Sequence, residues 1–245
     1  MEKLKTDGKK IISILGLPRQ GTTLISGIFN TPINAFSAVE PHWSKICGKE
    51  ISSGMKIPTA VLWGQPPSQV IPRLKALLYG SDSLDVCSIK ETYRIQQKEC
   101  CNFLLQSDDV DIHLFIFRHP EFGFNGWKKA RWEDYYNQVE NYKACYQELY
   151  NDSVLLEKQG KNVCRIRYEE ICKPTVSEYL TSKLSKFGVE FTSDMTRIEP
   201  LGTIFGDPRA SMGGAIGESS NSVELLNTEE LAALRGIKEN IYDLV

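Results

Sequence analysis

Residues 10–23 read KIISILGLPRQGTT, and this stretch decides the fold. The short apolar and β-branched run at 10–15 predicts a buried strand, and the apolar residues at 22–29 predict a helix. Gly16 and Gly21 enclose the turn between them. Successive backbone N–H groups in such a turn, together with the dipole of the helix, create a pocket for a phosphate group.

The alternation of strand and helix patterns continues along the chain. Further strands are predicted at residues 35–39, 86–90, 112–117 and 162–167. Helices are predicted at about 68–79, 94–106, 121–131, 134–159, 174–187 and 228–242, the last capped by Asn227 or Thr228. This order predicts one α/β domain over residues 1–245, with three α/β/α layers, a central parallel sheet and ligands at the carboxyl ends of its strands. The two long stretches without such a pattern, 44–67 and 198–226, are predicted substrate lids or cofactor loops.

The composition excludes several classes of protein. Of the 245 residues, 41% are hydrophobic and 24% are charged, which is typical of a globular chain and not of a disordered one. The net charge of -2 argues against a surface for nucleic acids or anionic membranes, and no apolar run approaches the roughly 18 residues that span a bilayer. The 7 cysteines are odd in number and lack a C-x-x-C spacing, so we expect reduced thiols in a cytoplasmic protein rather than disulfides or a zinc site.

The turn after the first strand has the G-x-x-x-x-G spacing of a P-loop, but it lacks the lysine that contacts the outer phosphates of a nucleoside triphosphate. Thr22 and Thr23 follow the second glycine instead. Arg19 can supply positive charge from within the loop, and the two threonine hydroxyls can donate hydrogen bonds. We therefore predict that residues 16–23 bind a phosphate-like anion.

Residues 18–24, PRQGTTL, resemble the 5′-phosphosulfate loop of sulfotransferases, which usually reads PRSGTTL. Those enzymes transfer the sulfuryl group of 3′-phosphoadenosine 5′-phosphosulfate (PAPS) and release 3′-phosphoadenosine 5′-phosphate (PAP). Gln20 stands where the usual loop has serine. The resemblance implies a P-loop-like fold, PAPS as co-substrate, and donor-binding roles for Arg19, Gln20, Gly21, Thr22 and Thr23.

Later motifs resemble the same family in the same order. Arg118, directly after the predicted strand 112–117, matches the family's arginine that binds the 3′-phosphate of the donor. The family's second ligand of that phosphate, a serine, corresponds to Gly126 in this chain, and the neighbouring Asn125 is a candidate to replace it.

Two motifs in the second half of the chain extend the resemblance. The RYEE segment that ends the strand 162–167 is similar to the family's YED segment, so Tyr168 is expected near the adenine ring. The segment GDPR at 206–209, together with Gly213 and Gly214, resembles a late Gly-rich loop of bacterial members that closes over the donor. Arg209 and Ser211 are therefore candidate contacts of the 3′-phosphate.

Three residues are candidates for chemistry beside the donor. Sulfuryl transfer needs a base for the acceptor's proton and cations that offset the charge growing on the leaving nucleotide, and we expect no metal ion. Glu40 and His42 are the candidate bases; Glu40 resembles the acidic base of tyrosylprotein-type enzymes, and the choice between the two stays open. Lys90 is the candidate cation, with the adjacent Glu91 as its ion-pair partner if the lysine is only structural.

The acceptor is expected to be a small molecule with a hydroxyl or amine group, of the kind that secondary metabolism modifies. The aromatic and acidic residues from Trp127 to Tyr150 are expected to form an amphipathic helix, and any that line the pocket would suit a cationic or aromatic acceptor. We expect no nucleic-acid or membrane partner. A homodimer is one of the oligomeric states that the sequence allows.

Two other functions stay open at this point. A P-loop kinase for a small molecule would keep the same sheet and first loop, with ATP and Mg²⁺ and with a lysine or arginine replacing the missing Walker lysine. A nucleotide-binding module without chemistry is the second alternative, and the glycine at position 126 favours it.

Overall fold

The computed structural model describes residues 8–40, 49–50, 56–57, 67–93, 98–130, 138–191, 195–198, 214–216 and 221–245. The strands in chain order are β1 (Lys10–Gly16), β2 (Ala35–Val39), β3 (Lys49–Glu50), β4 (Lys56–Ile57), β5 (Val86–Thr92), β6 (Ile112–Phe117), β7 (Val163–Arg167), β8 (Arg197–Ile198) and β9 (Gly214–Ala215). Five of them form one parallel sheet in the order β2-β5-β1-β6-β7. The short strands β3 and β4, and β8 and β9, form two separate antiparallel pairs.

Helices connect and cover these strands. They are α1 (Thr22–Asn30), α2 (Pro67–Gly80), α3 (Lys98–Gln106), α4 (Pro120–Ala130), α5 (Val139–Lys158), α6 (Tyr168–Ile171), α7 (Val176–Leu184) and α8 (Thr228–Asn240), with short 3-10 turns at Ser185–Phe187 and Tyr242–Leu244. Asn227, one of the two residues predicted to cap this helix, caps α8 and forms a capping box with Glu230. None of the helices in the described ranges combines the length and hydropathy needed to cross a lipid bilayer.

The core consists of two apolar layers, one on each face of the sheet. Alternate residues of β1 enter opposite layers: Ile12 belongs to the layer that contains α1 and α7, whereas Ile11 belongs to the layer that contains α2, α3, α4, α5 and α8. Both faces of β1 are therefore buried, which explains its mostly apolar sequence. The predicted three-layer α/β/α architecture with a central parallel sheet is confirmed.

The predicted elements differ from the observed ones mainly at their ends. The helix predicted for 174–187 is α7 followed by a 3-10 turn, because Gly188 adopts a left-handed conformation with φ of 74° and ends it. The first residues predicted for α3 and α5, at 94–97 and 134–137, lie outside the described residues.

The register of the sheet sets the neighbours of the first loop. Because all five strands are parallel, their carboxyl ends lie along one edge. Gly16, the last residue of the central strand β1, pairs with Thr92 on β5 and with Ile116 on β6. The loop after β1 is therefore flanked by residues that end β5 on one side and by residues that follow β6 on the other.

Candidate active site

The loop between β1 and α1 has two residues in the left-handed region of backbone conformation. Arg19 has φ of 64° and Gly21, which precedes α1, has φ of 86°. For a residue with a Cβ this region costs on the order of 1 kcal/mol, so contacts with the rest of the protein have to maintain Arg19 there. Arg19 is exposed, whereas the other residues of 16–20 are buried. The loop thus presents the Arg19 side chain at the carboxyl edge of the sheet.

Side chains from α4 and from the end of β6 bind the carbonyl groups of this loop. The indole N–H of Trp127 donates to the Pro18 carbonyl at 2.6 Å, and Nη1 of Arg118 donates to the Arg19 carbonyl at 3.0 Å. In a trans peptide the N–H points opposite to the C=O, so binding the Pro18 carbonyl also fixes the direction of the Arg19 N–H. The Gln20 N–H closes the turn itself by donating to the Leu17 carbonyl at 3.2 Å. The first N–H groups of α1 add donors that have no acceptor within the helix. This arrangement can bind an anion through the backbone.

Gln20 stabilises the loop from its buried side. Its Oε1 accepts a hydrogen bond from the Leu17 N–H at 2.9 Å, and the side chain is fully buried. Its amide is close enough to Tyr142 to affect that hydroxyl: burial raises the pKa of Tyr142 above its ordinary value, and Gln20 opposes the shift. The Gln20 side chain therefore faces the core, and its predicted contact with a donor stays a prediction.

The glycines of the loop are in close contact with other side chains. A Cβ at Gly21 would lie 2.1 Å from Cδ2 of Tyr168, and a Cβ at Gly16 would lie 2.7 Å from Cγ2 of Thr22. Thr22 and Thr23 are both buried in the first turn of α1. The two glycines thus allow Tyr168 and Thr22 to pack directly on the loop backbone.

Tyr168, the first residue of α6, contacts both the loop and Arg118. The guanidinium carbon of Arg118 lies 4.6 Å from the centroid of the tyrosine ring, a cation–π distance. The ring is only 3% exposed. Its described contacts are therefore with Gly21 and Arg118, and its predicted proximity to an adenine ring stays a prediction.

Gly126 on α4 faces the two arginines. A Cβ at this position would lie 3.2 Å from Cβ of Arg19 and 3.7 Å from Nη1 of Arg118. The position that corresponds to the family's serine is thus next to Arg118, but here it has no side chain. The close packing of α4 against Arg19 explains why a glycine is favourable at this site.

Asn125 is buried and uses its amide group to bind the segment 221–227. Its Nδ2 donates to Oγ of Ser222 at 3.3 Å, and its Oδ1 accepts from the Leu225 N–H at 3.0 Å. These contacts attach the segment before α8 to α4. A role for Asn125 in binding phosphate stays a prediction.

On the other side of the loop, Glu40, Lys90 and Thr92 form a partly buried polar cluster. The Lys90 ammonium donates to Oε1 of Glu40 and, at 2.9 Å, to Oγ1 of Thr92, while the Thr92 hydroxyl donates to the same Glu40 oxygen. The side chain of Lys90 is 3% exposed and that of Glu40 is 15% exposed. The cluster thus places a carboxylate that solvent can reach above a buried ammonium group.

The backbone also connects Glu40 and Lys90. The Glu40 N–H donates to the Lys90 carbonyl at 2.8 Å, which extends the ladder between β2 and β5 by one residue. Glu40 has φ of 42°, so it is the second residue with a side chain in the left-handed region among the described residues. Backbone strain of this kind concentrates at functional sites.

The alternative partner suggested for Lys90 was wrong. Glu91 is the next residue along β5, so its side chain emerges on the opposite face of the strand. Lys90 and Thr92 are two positions apart and share one face, which is why the ammonium group meets Thr92 and Glu40.

The two described histidines do not belong to the site. Nδ1 of His113, inside β6, lies 3.0 Å from Oγ of Ser13 on β1, and burial lowers the pKa of His113 from 6.5 to about 4. His119 stacks on Phe122, with ring centroids 4.5 Å apart, and burial lowers its pKa as well. Both are therefore mainly neutral near pH 7, with His113 in the core and His119 half-buried.

Three aromatic residues of the 127–150 segment pack inside the protein. Trp127, Tyr142 and Tyr146 are fully buried, and the rings of Trp127 and Tyr142 meet edge to face with centroids 4.9 Å apart. The Tyr146 hydroxyl donates to the Arg118 carbonyl at 2.9 Å. These three residues support the loop and the end of β6 rather than lining an acceptor pocket. Of the predicted site residues, His42, Arg209 and Ser211 lie outside the described residues.

The comparisons with known proteins support the fold. No protein-family model and no curated protein matches this chain. Among solved structures, the chain is similar to the sulfotransferase domain of the olefin synthase from Synechococcus PCC 7002, with a TM-score of 0.56 and 13% identity over 97% of this chain and 98% of that one. At this level of identity the likeness shows the fold. The P-loop-like α/β fold implied by the first loop is thus confirmed over almost the whole chain.

Thr92 and Trp127 are the residues of the site whose roles the sequence did not reveal. Thr92 was not predicted because its contact with Lys90 depends on its position two residues further along the same face of the strand. Trp127 was noticed only as an aromatic residue, whereas its indole N–H binds the Pro18 carbonyl 109 residues away in the chain. The period-2 alternation along β5 was the one sequence signal that could have suggested Thr92.

Proposed function

We propose that this protein is a PAPS-dependent sulfotransferase, which moves a sulfuryl group to a hydroxyl or amine of a small molecule. The observation that carries the proposal is the pair Glu40 and Lys90 on one side of the loop after β1, with Arg118 on the other side. A carboxylate, an ammonium group and a guanidinium group thus surround one backbone loop, and the proposed roles are those of base, cation and anion-binding residue. The likeness in fold to a sulfotransferase domain supports the same reaction class.

The residues present fit the donor. Arg19 is exposed and Arg118 is half-buried, so both guanidinium groups can meet a ligand that arrives from solvent. The N–H groups at the start of α1, with Arg19, would hold the 5′-phosphosulfate, and Arg118 would hold the 3′-phosphate. PAPS, when bound, supplies a sulfuryl group on a nucleotide that is a good leaving group.

Glu40 and Lys90 have complementary roles in this reaction. The neighbouring ammonium group favours the ionised form of the Glu40 carboxylate, which can then take the acceptor's proton. The acceptor oxygen or nitrogen forms its bond to sulfur as the proton moves, and the electron pair of the broken sulfur–oxygen bond leaves with the nucleotide. The positive charge of Lys90 stabilises the negative charge that develops there. Glu40 is the preferred base over His42, since its carboxylate contacts the Lys90 ammonium group.

The binding test compares two nucleotides by their effect on thermal unfolding. PAP without metal should raise the melting temperature, because a ligand of the folded state stabilises it by mass action. ATP with Mg²⁺ should have a much smaller effect. The opposite ranking would favour the kinase, and no stabilisation by PAP would contradict the proposal.

The transfer test measures PAP release from PAPS with a panel of acceptors, so that the product need not be known in advance. The panel contains phenol, which is neutral, tyramine and agmatine, which are cationic, and 4-hydroxybenzoate, which is anionic. We propose a cationic acceptor or an uncharged aromatic one, and equal rates with the anionic compound would contradict that class. A protein that binds PAP but transfers to none of a wide acceptor set, and in which Glu40→Gln changes nothing, would be a binding module.

A further inference from the structure

The loop after β1 depends for its shape on groups far away in the sequence. Its Pro18 carbonyl binds the indole of Trp127 and its Arg19 carbonyl binds Arg118. The carbonyl of Arg19 belongs to the one residue of the loop with a Cβ in the left-handed region. The hydrogen bond from Arg118 is therefore placed where the backbone conformation is least favourable.

A second contact joins Arg118 to the other left-handed residue of the loop. The guanidinium lies on the ring of Tyr168 at 4.6 Å, and that ring packs on Gly21 so closely that a Cβ there would lie 2.1 Å from it. The contacts thus run from the Arg19 carbonyl through Arg118 and Tyr168 to Gly21, which lies in the same loop as Arg19. Moving the guanidinium therefore disturbs the loop at both of its left-handed positions.

The glycine in α4 belongs to the same arrangement. Because Gly126 has no side chain, the helix backbone packs against Arg19, and a Cβ would lie 3.2 Å from Cβ of Arg19. A serine at this position would push on the loop residue whose carbonyl Arg118 binds. The replacement of the family's serine is thus coupled to the conformation of Arg19.

We propose that Arg118 is a positioning residue for the 5′-phosphosulfate loop in addition to its expected contact with the 3′-phosphate, so that the two anion pockets are energetically coupled. A guanidinium group has five N–H donors, so one can bind the Arg19 carbonyl while others face a phosphate. An anion that orders Arg118 then also orders the loop, and by linkage an anion in the loop strengthens binding at Arg118. The part of this inference that concerns nucleotides rests on the proposed function.

The first test needs no ligand. Hydrogen exchange of the peptide that covers residues 16–23 is measured in the free protein for Arg118→Ala, with Arg165→Ala as the matched control. Arg165 lies in β7, and its guanidinium group binds Ser153 and Glu157 on α5 rather than the loop. We expect the loop to exchange about tenfold faster in Arg118→Ala than in the wild type. In the control variant the exchange rate of the loop should not change. Unchanged exchange in Arg118→Ala would overturn the inference.

The second test separates positioning from phosphate contact. Adenosine 5′-monophosphate has no 3′-phosphate, so a residue that only binds that phosphate cannot affect its affinity. We expect Arg118→Ala to weaken binding of this nucleotide about tenfold and binding of PAP by more, as measured by calorimetry. Loss of PAP affinity alone would overturn the inference, whereas a wild-type protein that binds neither nucleotide would overturn the proposed function and leave the exchange test decisive.

Two variants of Tyr168 complete the design. Tyr168→Phe keeps the ring between Gly21 and Arg118, and it should retain wild-type exchange in the loop. Tyr168→Leu keeps most of the volume but removes the face on which the guanidinium lies, and it should speed exchange as Arg118→Ala does. Equal exchange in the two variants would show that the ring does not transmit the position of Arg118.

Discussion

The loop after β1 has different surroundings on its two sides. On the side of β6, side chains bind the backbone of the loop, whereas on the side of β5 the side chains bind one another. The first group, which we call the donor side, consists of Arg19, Arg118, Gly126, Trp127 and Tyr168, and its hydrogen bonds end on carbonyl groups of the loop. The second group, the base side, consists of Glu40, Lys90 and Thr92, and its side chains form a cluster of their own. The donor side thus holds the loop backbone that we propose binds the donor. The base side holds the side chains that we propose take part in the transfer reaction. Substitutions on the two sides should therefore change different measured quantities.

The largest effect is expected from Glu40→Gln on the base side. It removes the proton acceptor but keeps the size of the side chain, so kcat should fall about 10²- to 10⁴-fold while PAP affinity stays unchanged. PAP release with the best acceptor of the panel measures the first quantity and calorimetry the second. Glu157→Gln, which affects only a surface pair with Arg165, is the control. A parallel loss of PAP affinity would show that the two sides are not separate.

Gly21→Ala should have the largest effect on the donor side. The new methyl group would overlap the Tyr168 ring, so we expect a loss of about 1–3 kcal/mol in the free energy of unfolding and at least about a tenfold loss of PAP affinity. Gly160→Ala is a matched control, since Gly160 also has positive φ but no atom within 4 Å of its Cβ position. It should cost about 1 kcal/mol of stability and no affinity. Equal effects of both variants on affinity would contradict a specific contact with Tyr168.

Thr92 tests whether the base side depends on its internal hydrogen bonds. Thr92→Val keeps the shape but removes the hydroxyl between Lys90 and Glu40, so kcat should fall about tenfold and the acid limb of its pH profile should shift, with PAP affinity unchanged. Thr92→Ser keeps the hydroxyl and should restore most of the rate. If serine and valine behave alike, the hydroxyl does not orient Glu40.

The smallest effect concerns stability beneath both sides. Burial lowers the pKa of His113 to about 4 in the folded protein, against 6.5 when it is exposed. The unfolded chain therefore binds a proton more readily between these values, and stability is lost as the pH falls below 6.5. His113→Gln should remove roughly 1 kcal/mol of the loss between pH 7.5 and 5.5, measured by urea unfolding. An unchanged pH dependence would show that other groups cause the loss of stability at low pH. The measurement also separates unfolding in acid from a loss of turnover in acid.

Individual residues show where prediction from the sequence succeeded and where it stopped. The strands at 35–39 and 112–117 were predicted with the bounds they have, because local apolar runs between turns decide such elements. Arg19 and Arg118 were both predicted at the carboxyl edge of the sheet, because parallel strands end together. The hydrogen bond between them, and the left-handed backbone of Arg19, were not predicted, since both belong to the tertiary packing around the first loop.

The sequence alone determined the five strands of the main sheet, the longer helices between them, the glycine turn after β1 and the presence of Glu40, Lys90 and Arg118 at strand ends. These features depend on hydrophobic periodicity and on turn residues, which act over a few neighbouring positions. The tertiary structure alone decided that Lys90 pairs with Glu40 rather than Glu91, that Thr92 joins them, and that Trp127 binds the first loop. Those contacts join residues on different strands and helices, and only the register of the sheet and the packing of α4 bring them together.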